Sequence, residues 1–165
     1  MMNRIVFLLS LSTATFAAAE DAPPIRICVG PLENHSTYQL PTDKLQAALV
    51  SQLSHKHIRA AIITGPDLSA EMARNNCEYL FSAEFSNSAI PRGEPICGKC
   101  PVVDERKHFA LQFGFYLKKS PAQAPVYSHR GAVIDKNPKT CADDHIWETV
   151  RFIRDYFKSV GKPTG

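Results

Sequence analysis

The sequence predicts an α/β fold, a single-domain sandwich with the element order β-α-β-α-β-β-β-α and helices packed on a mixed sheet. Three observations point to it. Short β-branched segments alternate with helical periodicities as far as residue 88, a clean period-two strand starts at residue 109, and an amphipathic segment closes the chain. Strands that alternate with helices favour parallel pairing, whereas a hairpin is antiparallel, so we expect both kinds of pairing in one sheet.

The first strand and helix open the domain, which we expect over residues 25–160. Residues 25–29 are mostly β-branched and apolar, which indicates a strand, and Gly30-Pro31 is expected to end it. A helix is predicted over residues 42–54 because apolar or neutral side chains recur on one face. Those side chains are Leu45, Ala48, Leu49, Gln52 and Leu53.

The next three elements repeat the pattern. A strand is predicted over residues 58–64 and a short helix over residues 68–76, with Asp67 or Ser69 as its cap. The inner face of that helix is expected to hold Leu68, Met72 and Ala73. The apolar strand at residues 78–88 follows, and we expect it at the centre of the sheet.

A hairpin and one helix complete the domain. The hairpin pairs the alternating strand that starts at Phe109 with a partner at residues 126–134. The last helix is predicted to begin at Asp143-Asp144, since carboxylates are favourable at a helix N-terminus. Its inner face is expected to hold Ile146, Val150, Ile153, Phe157 and Val160, with Trp147 beside them. Its outer face is expected to hold Arg151, Arg154, Asp155 and Lys158.

The N-terminus has the pattern of a secretory signal peptide. A positive start ending at Arg4 precedes an apolar run of seven residues and then small residues, so cleavage is expected near Ala19. Residues 20–24 are then a flexible lead-in and residues 161–165 a tail. The mature protein is therefore expected in the periplasm or secreted, with no transmembrane segment.

The charge balance argues against nucleic acid as a partner. Lys and Arg number 19 against 16 Asp and Glu, and loss of Arg4 with the signal peptide lowers the net charge from +3 to +2. A dedicated nucleic-acid binder needs a strong basic excess on one face. We therefore expect a protein partner from the cell envelope, whose identity the sequence does not specify.

Cys97 and Cys100 form the sharpest candidate site, as a disulfide or a redox pair. A thioredoxin-like pair would need Cys97 at a helix N-terminus, and the sequence after Pro101 does not indicate a helix. Structural zinc would need a second close pair of ligands, and c-type haem would need histidine directly after Cys100. The remaining interpretation is a small disulfide ring, worth about 2 kcal/mol, that stiffens its loop. No metal, cofactor or catalytic residue is predicted.

The other cysteines and the loop around the pair leave several alternatives. Cys28 and Cys77 lie on or beside strands and are expected to be buried thiols, but Cys141 could pair with either, and Cys77 with Cys141 is the candidate second disulfide. The loop at residues 89–107 is longer than most connections in a compact domain. Its cysteines and prolines favour a braced binding surface.

Three segments resemble the TolB amino-terminal domain and the related curli-secretion (CsgG-like) periplasmic domain. They are the strand and loop at residues 25–34, the strand at residues 76–85, and the hairpin at residues 109–134 with the segment Asp143-Asp-His-Ile-Trp147. The resemblance covers most of residues 25–160. It implies an α/β sandwich that acts as a non-catalytic, protein-binding envelope module.

Two functions are therefore predicted from the sequence. The first is a non-catalytic exported envelope protein that binds a protein partner. The alternative, from another class, is a periplasmic thiol-disulfide redox protein that uses Cys97 and Cys100. A low-pKa, easily reduced pair would favour the second, and an inert disulfide the first.

Overall fold

The predicted order of elements is confirmed in a computed structural model, which describes residues 23–55, 57–88, 109–135 and 138–162. Five strands form a single mixed sheet, and three helices pack on it. The strands are β1 (Ile25–Asn34), β2 (Ile58–Ile62), β3 (Tyr79–Asn87), β4 (Phe109–Lys118) and β5 (Tyr127–Asp135). The helices are α1 (Thr42–Leu53), α2 (Leu68–Arg74) and α3 (Pro138–Ser159).

The strand order is β2-β1-β3-β4-β5, which places β3 at the centre as predicted. Strand β1 pairs in parallel with both β2 and β3. These pairings require crossover connections, which α1 and α2 supply. Strands β3, β4 and β5 pair antiparallel, so the sheet is parallel on one side of β3 and antiparallel on the other.

The main core lies between one face of the sheet and helices α1 and α3. Alternating residues of β1, β3 and β4 point into it, as the period-two pattern of β4 predicted. The fully buried side chains at its centre include Ile27, Phe81, Phe115, Ile153 and Phe157. Leu45, Leu49 and Leu53 of α1 are buried in the same core, as predicted. Gln52, which was expected on that face, is exposed, and Gln46, which was not, is buried.

A smaller core lies under α2 on the opposite face. It contains Ile63, Met72, Leu80 and Cys28. The helix begins at Leu68 because the Asp67 carboxylate accepts a hydrogen bond from the Ala70 amide at 2.9 Å, which satisfies one of the free donors of the first turn. Ala73, expected on the inner face, is exposed.

A disulfide between Cys28 and Cys77 closes this smaller core. The two Cα atoms are 5.6 Å apart and the sequence separation is 49 residues. This corrects two expectations, that these cysteines are buried thiols and that Cys77 pairs with Cys141. The parallel pairing of β1 with β3 explains the outcome, because it brings Cys28, on the α2 face of β1, alongside the chain that enters β3.

Strand β1 continues through Gly30-Pro31, where the sequence predicted its end. From Val29 to Leu32 it uses one residue more than β3 uses from Phe81 to Ala83, which is a β-bulge. The extra residue returns Leu32 to the core face that Val29 occupies. The side chain of Gln46, itself buried in α1, donates to the Val29 carbonyl at 3.0 Å and to the Gly30 carbonyl at 2.8 Å.

Helix α3 begins earlier than predicted, at Pro138 rather than at Asp143. Proline is favoured in the first turn of a helix, where its missing N–H removes no intrahelical hydrogen bond. The predicted inner face is correct for Ile146, Val150, Ile153 and Phe157, all of which are buried. Val160 is exposed because the helix ends at Ser159.

Lys162, predicted to belong to a free tail, contacts the sheet. Its ammonium group lies 5.1 Å from the centre of the Tyr79 ring and 3.0 Å from the Glu78 carboxylate. Partial burial lowers the pKa of Lys162, but its bonds to Glu78 and Tyr79 outweigh burial and leave the pKa raised. The contact joins the end of α3 to the start of β3.

The Cys28–Cys77 disulfide predicts a redox-dependent stability. Replacing both cysteines with alanine should lower the free energy of unfolding by about 4 kcal/mol, because a loop of this length is no longer closed in the unfolded chain. Urea unfolding with and without dithiothreitol measures the effect. Reductant should destabilise the natural protein by about 4 kcal/mol more than the double variant, in which it can act only on the other cysteines. Equal destabilisation of both proteins would contradict the prediction.

The Gln46 contact predicts a second effect on stability. Gln46→Met keeps the side-chain length but removes a donor from two buried carbonyls, of which that of Val29 still accepts from the Ile63 amide at 3.0 Å. Unfolding should therefore become easier by about 1–3 kcal/mol. Gln52→Met is the matched control, because Gln52 is exposed on the same helix and should change stability by less than about 0.5 kcal/mol. Similar losses in both variants would show that the bulge does not depend on Gln46.

Candidate functional site

The site predicted from the sequence lies outside the described residues. Cys97, Cys100 and the whole loop at residues 89–107 fall there, so the braced-loop interpretation stays a prediction. Cys141 lies within α3. Two surface features of the described residues take its place as candidates, a groove beside α3 and a polar cluster on the sheet.

The groove runs between the C-terminal end of α1 and one side of α3. Its volume is about 540 Å³, within the range of roughly 300–1,000 Å³ typical of ligand pockets. The last turn of α1 and the following residues form one wall with Ser51, Gln52, Ser54 and His55. Helix α3 forms the other wall with Trp147, Val150, Arg151, Arg154 and Asp155.

Trp147 is the most exposed large apolar side chain of the described residues, at 59% of its full accessibility. It is held against Arg151, whose guanidinium lies 5.1 Å from the indole centre. Arg151 in turn forms an ion pair with Glu148 at 2.9 Å. The indole therefore lies exposed in the groove beside a guanidinium group. The sequence had predicted it beside the inner face of the helix.

Arg154 lies one turn further along the same wall. Its Nε atom is buried and has no hydrogen-bond acceptor among the described residues. A buried N–H donor without an acceptor costs about 1–3 kcal/mol. Because this atom has almost no accessible surface, a ligand in the groove cannot reach it, and the missing hydrogen bond is a cost to the fold and not a feature for binding.

The sequence contains a signal for this groove. Trp147, Arg151 and Arg154 are spaced i, i+4 and i+7, which places them on one stripe of a helix. The sequence interpretation divided these residues between an inner and an outer face. That interpretation did not predict that the stripe lies next to α1. No local pattern in the sequence indicates which helix packs beside α3.

The second feature is a polar cluster on the sheet face opposite α1 and α3. The Tyr116 hydroxyl donates to Glu84, and Arg130 donates to that hydroxyl at 3.1 Å. The hydrogen bond to Glu84 raises the pKa of Tyr116, burial raises it further, and Arg130 opposes both. These three residues bond to one another, and the cluster has no large exposed apolar side chain of the kind that Trp147 gives the groove.

Neither feature assembles a recognisable catalytic constellation from the described residues. In the same part of the chain, no group of three or more His, Cys, Asp or Glu side chains is arranged to hold a metal ion. The groove combines an aromatic surface, two guanidinium groups and several hydrogen-bonding side chains. That chemistry is suited to binding.

Comparison of the coordinates with solved structures identifies a related fold. The fold is similar to that of PelC. The PelC dodecamer from Paraburkholderia phytofirmans matches with a TM-score of 0.53 at 12% identity, over 77% of this chain and 86% of that one. No protein-family profile matches the sequence, and comparison with curated protein sequences gives no significant match.

Two further structures match less well. Lipoprotein GNA1162 from Neisseria meningitidis has a TM-score of 0.45 at 11% identity, over 80% of this chain and 99% of that one. The LpoB C-terminal domain from Salmonella enterica has a TM-score of 0.39 at 15% identity, over 68% of this chain and 86% of that one. No conclusion is drawn from these two matches, and the PelC match shows a similar fold and no shared site.

Within the described residues, none of the helices has both the length and the apolar character needed to cross a bilayer. The predicted signal peptide at residues 1–19 lies outside those residues.

The placement of Trp147 predicts a charge-dependent quenching of fluorescence. Trp147 is the only tryptophan of the chain, so its emission reports on the groove alone. Iodide should quench it more strongly than caesium, because the nearby arginines attract the anion and repel the cation. Arg151→Gln should reduce this preference, whereas Arg74→Gln, on α2 at the other sheet face, should not. Equal quenching by both ions would contradict a positive groove.

Proposed function

We propose that the protein is a non-catalytic module of the bacterial envelope that binds another protein through the groove between α1 and α3. The observation that carries the proposal is the exposed Trp147, held by Arg151 at the edge of the groove. Tryptophan and arginine are enriched among residues that dominate the energy of protein interfaces. A tryptophan side chain has only two rotatable bonds, so ordering it on binding costs less entropy than ordering a long flexible side chain.

Export of the mature chain is the second part of the proposal. The N-terminal sequence has the pattern of a signal peptide, and the disulfide between Cys28 and Cys77 suits an oxidising compartment. The mixed sheet with flanking helices is also compatible with the TolB-like and CsgG-like resemblance. Both labels remain proposals, as does the identity of the partner.

The thiol-disulfide function of Cys97 and Cys100 stays a prediction. Titration of thiols with and without dithiothreitol distinguishes it from the binding function. Cys28 is fully buried, and its disulfide should resist mild reductant. A pair that is reduced at mild reductant concentration would therefore report on Cys97 and Cys100.

If the groove binds the partner, a substitution at Trp147 should lower the affinity for it. The mature protein is immobilised and incubated with envelope extract, and retained proteins are identified by mass spectrometry and purified for a direct affinity measurement. Trp147→Ala should weaken that affinity by about 30-fold or more, as expected for an interface residue worth at least about 2 kcal/mol.

Ile62→Ala is the matched control. It removes another exposed large apolar side chain, 42% accessible, which lies on β2 and does not line the groove. It should leave the affinity within about threefold. The proposed function is wrong if no protein is retained specifically, or if the two variants lower the affinity for the purified partner equally.

A further inference from the structure

We propose that the outer edge of β5 is a self-association surface, on which β5 of a second copy of the chain pairs antiparallel about a twofold axis at Gly131. The inference follows from a nine-residue edge strand whose outward backbone groups are arranged symmetrically about a glycine. A cleft between α3 and β5 borders this edge, whereas the groove of the proposed function lies between α3 and α1. The inference therefore does not depend on the proposed function.

The hydrogen-bond register of the sheet shows which backbone groups of β5 point outward. The Ser88 amide donates at 3.2 Å to the carbonyl of Ala110, the residue that continues the β3–β4 register opposite it. Hydrogen-bonded positions alternate along an antiparallel pair, so even-numbered residues of β4 bond to β3 and odd-numbered ones to β5. Odd-numbered residues of β4 lie opposite odd-numbered residues of β5. The even-numbered residues of β5 therefore direct their N–H and C=O groups to the outer edge. They are Ser128, Arg130, Ala132 and Ile134.

This edge lacks the features that usually keep sheet edges from pairing. Edge strands are commonly short, interrupted by a bulge, or equipped with proline or lysine. Strand β5 has nine residues, keeps a continuous register with β4, and contains neither proline nor lysine. The other edge strand, β2, has only five residues. Since none of the described strands pairs with the outer side of β5, the N–H and C=O groups of four residues are available to a partner strand.

The symmetry of these outward groups favours a second copy as the occupant. With Gly131 on the twofold axis of an antiparallel pair, Ser128 lies opposite Ile134 and Arg130 opposite Ala132. Every outward N–H and C=O group of the four residues then has a partner. The two Gly131 residues face each other at a position without hydrogen bonds, where Cα atoms approach to about 4.5 Å. Glycine suits this position because it has no side chain to oppose the approach.

Charge selects this register over its neighbours. A shift that places Arg130 on the axis would set two guanidinium groups directly opposite each other, which is destabilising. A shift that places Ala132 on the axis would move Ser128 beyond the end of the second β5. With Gly131 on the axis, Arg130 lies opposite a small neutral residue. The Glu84 carboxylate of the same copy lies 3.9 Å from the Arg130 guanidinium and offsets its charge.

Strand pairing of this kind predicts a weak dimer. Its contacts are mainly backbone hydrogen bonds, to which Val126 and Tyr127, 39% and 38% accessible at the start of β5, add some apolar surface. Small interfaces form transient complexes, so we expect a dissociation constant of about 10–300 µM. Sedimentation velocity of the mature protein from micromolar to millimolar concentration measures it. Nonreducing electrophoresis of the same samples should show no covalent dimer.

Ala132→Pro tests the edge itself. It removes one outward N–H from each copy and leaves the bonds to β4 in place, because proline is tolerated on an edge strand where the N–H faces outward. The dimer should weaken at least about tenfold. Ala132→Ser is the matched control, since it keeps the N–H, and it should change the dissociation constant by less than about twofold. Circular dichroism checks the fold of both variants.

Two charge variants test the register and do not depend on proline. Ala132→Glu places a carboxylate opposite Arg130 of the second copy and should tighten the dimer about fivefold, whereas Ala132→Lys places like charges there and should weaken it about fivefold. Ile62→Lys adds the same charge to an exposed position of the other edge strand and should have less than a twofold effect.

The outcomes separate this inference from the proposed function. A protein that stays monomeric at about 1 mM, a dimer held by a disulfide, a dimer insensitive to Ala132→Pro, or equal effects of Ala132→Glu and Ala132→Lys would each overturn it. If the protein is monomeric but Ala132→Pro abolishes binding of an envelope protein, the edge takes a strand of that protein and the second copy is wrong. Trp147→Ala should leave the dimer unchanged, so its effect on partner binding tests the groove alone.

Discussion

The packing of α3 across the central strands is the interaction on which the rest of the structure depends. Phe157 meets Tyr79 of β3 edge to face at a centroid distance of 5.0 Å, and Phe152 stacks on Tyr127 of β5 at 4.5 Å. One helix thus spans the antiparallel half of the sheet. These ring contacts set the rotation of α3 about its axis. Because an α-helix has 3.6 residues per turn, that rotation places Trp147, Arg151 and Arg154 along the border with α1. The groove is a consequence of core packing.

The Cys28–Cys77 disulfide and Gln46 stabilise the parallel side of the sheet, where β1 is irregular. Strand β1 lies between β2 and β3, and a bulge at Gly30-Pro31 interrupts its pairing with β3. The disulfide joins β1 to the start of β3 before the bulge. The Gln46 amide donates hydrogen bonds to the carbonyls of Val29 and Gly30 at the bulge itself. Two unrelated interactions therefore secure the one irregular region of the described sheet, from opposite faces.

The sequence predicted the order of elements because that order rests on local patterns. The alternation of β4 and the apolar stripe of α1 each fit within a dozen residues, and both are confirmed. Local signals were misleading where tertiary contacts outweigh them. Gly30-Pro31 is a pattern typical of a strand end. Strand β1 nevertheless continues beyond it, with a bulge at this point and a hydrogen bond from Gln46 to the Gly30 carbonyl. The start of α3 was assigned to Asp143-Asp144, although a proline five residues earlier also suits a first turn.

The groove and the disulfide were beyond local reasoning because both depend on segments that are distant in sequence. Cys28 and Cys77 are 49 residues apart, and only the parallel register of β1 with β3 brings them together. Likewise, the stripe of Trp147, Arg151 and Arg154 is visible in the sequence, but it becomes a groove only when α1 lies alongside. The groove is also the stronger candidate of the two described surface features. Glu84, Tyr116 and Arg130 bond to one another on the sheet, whereas Trp147 keeps 59% of its surface accessible on the wall of the groove. An exposed indole gains apolar contacts that only a partner can supply, and tryptophan is enriched among the residues that dominate the energy of protein interfaces.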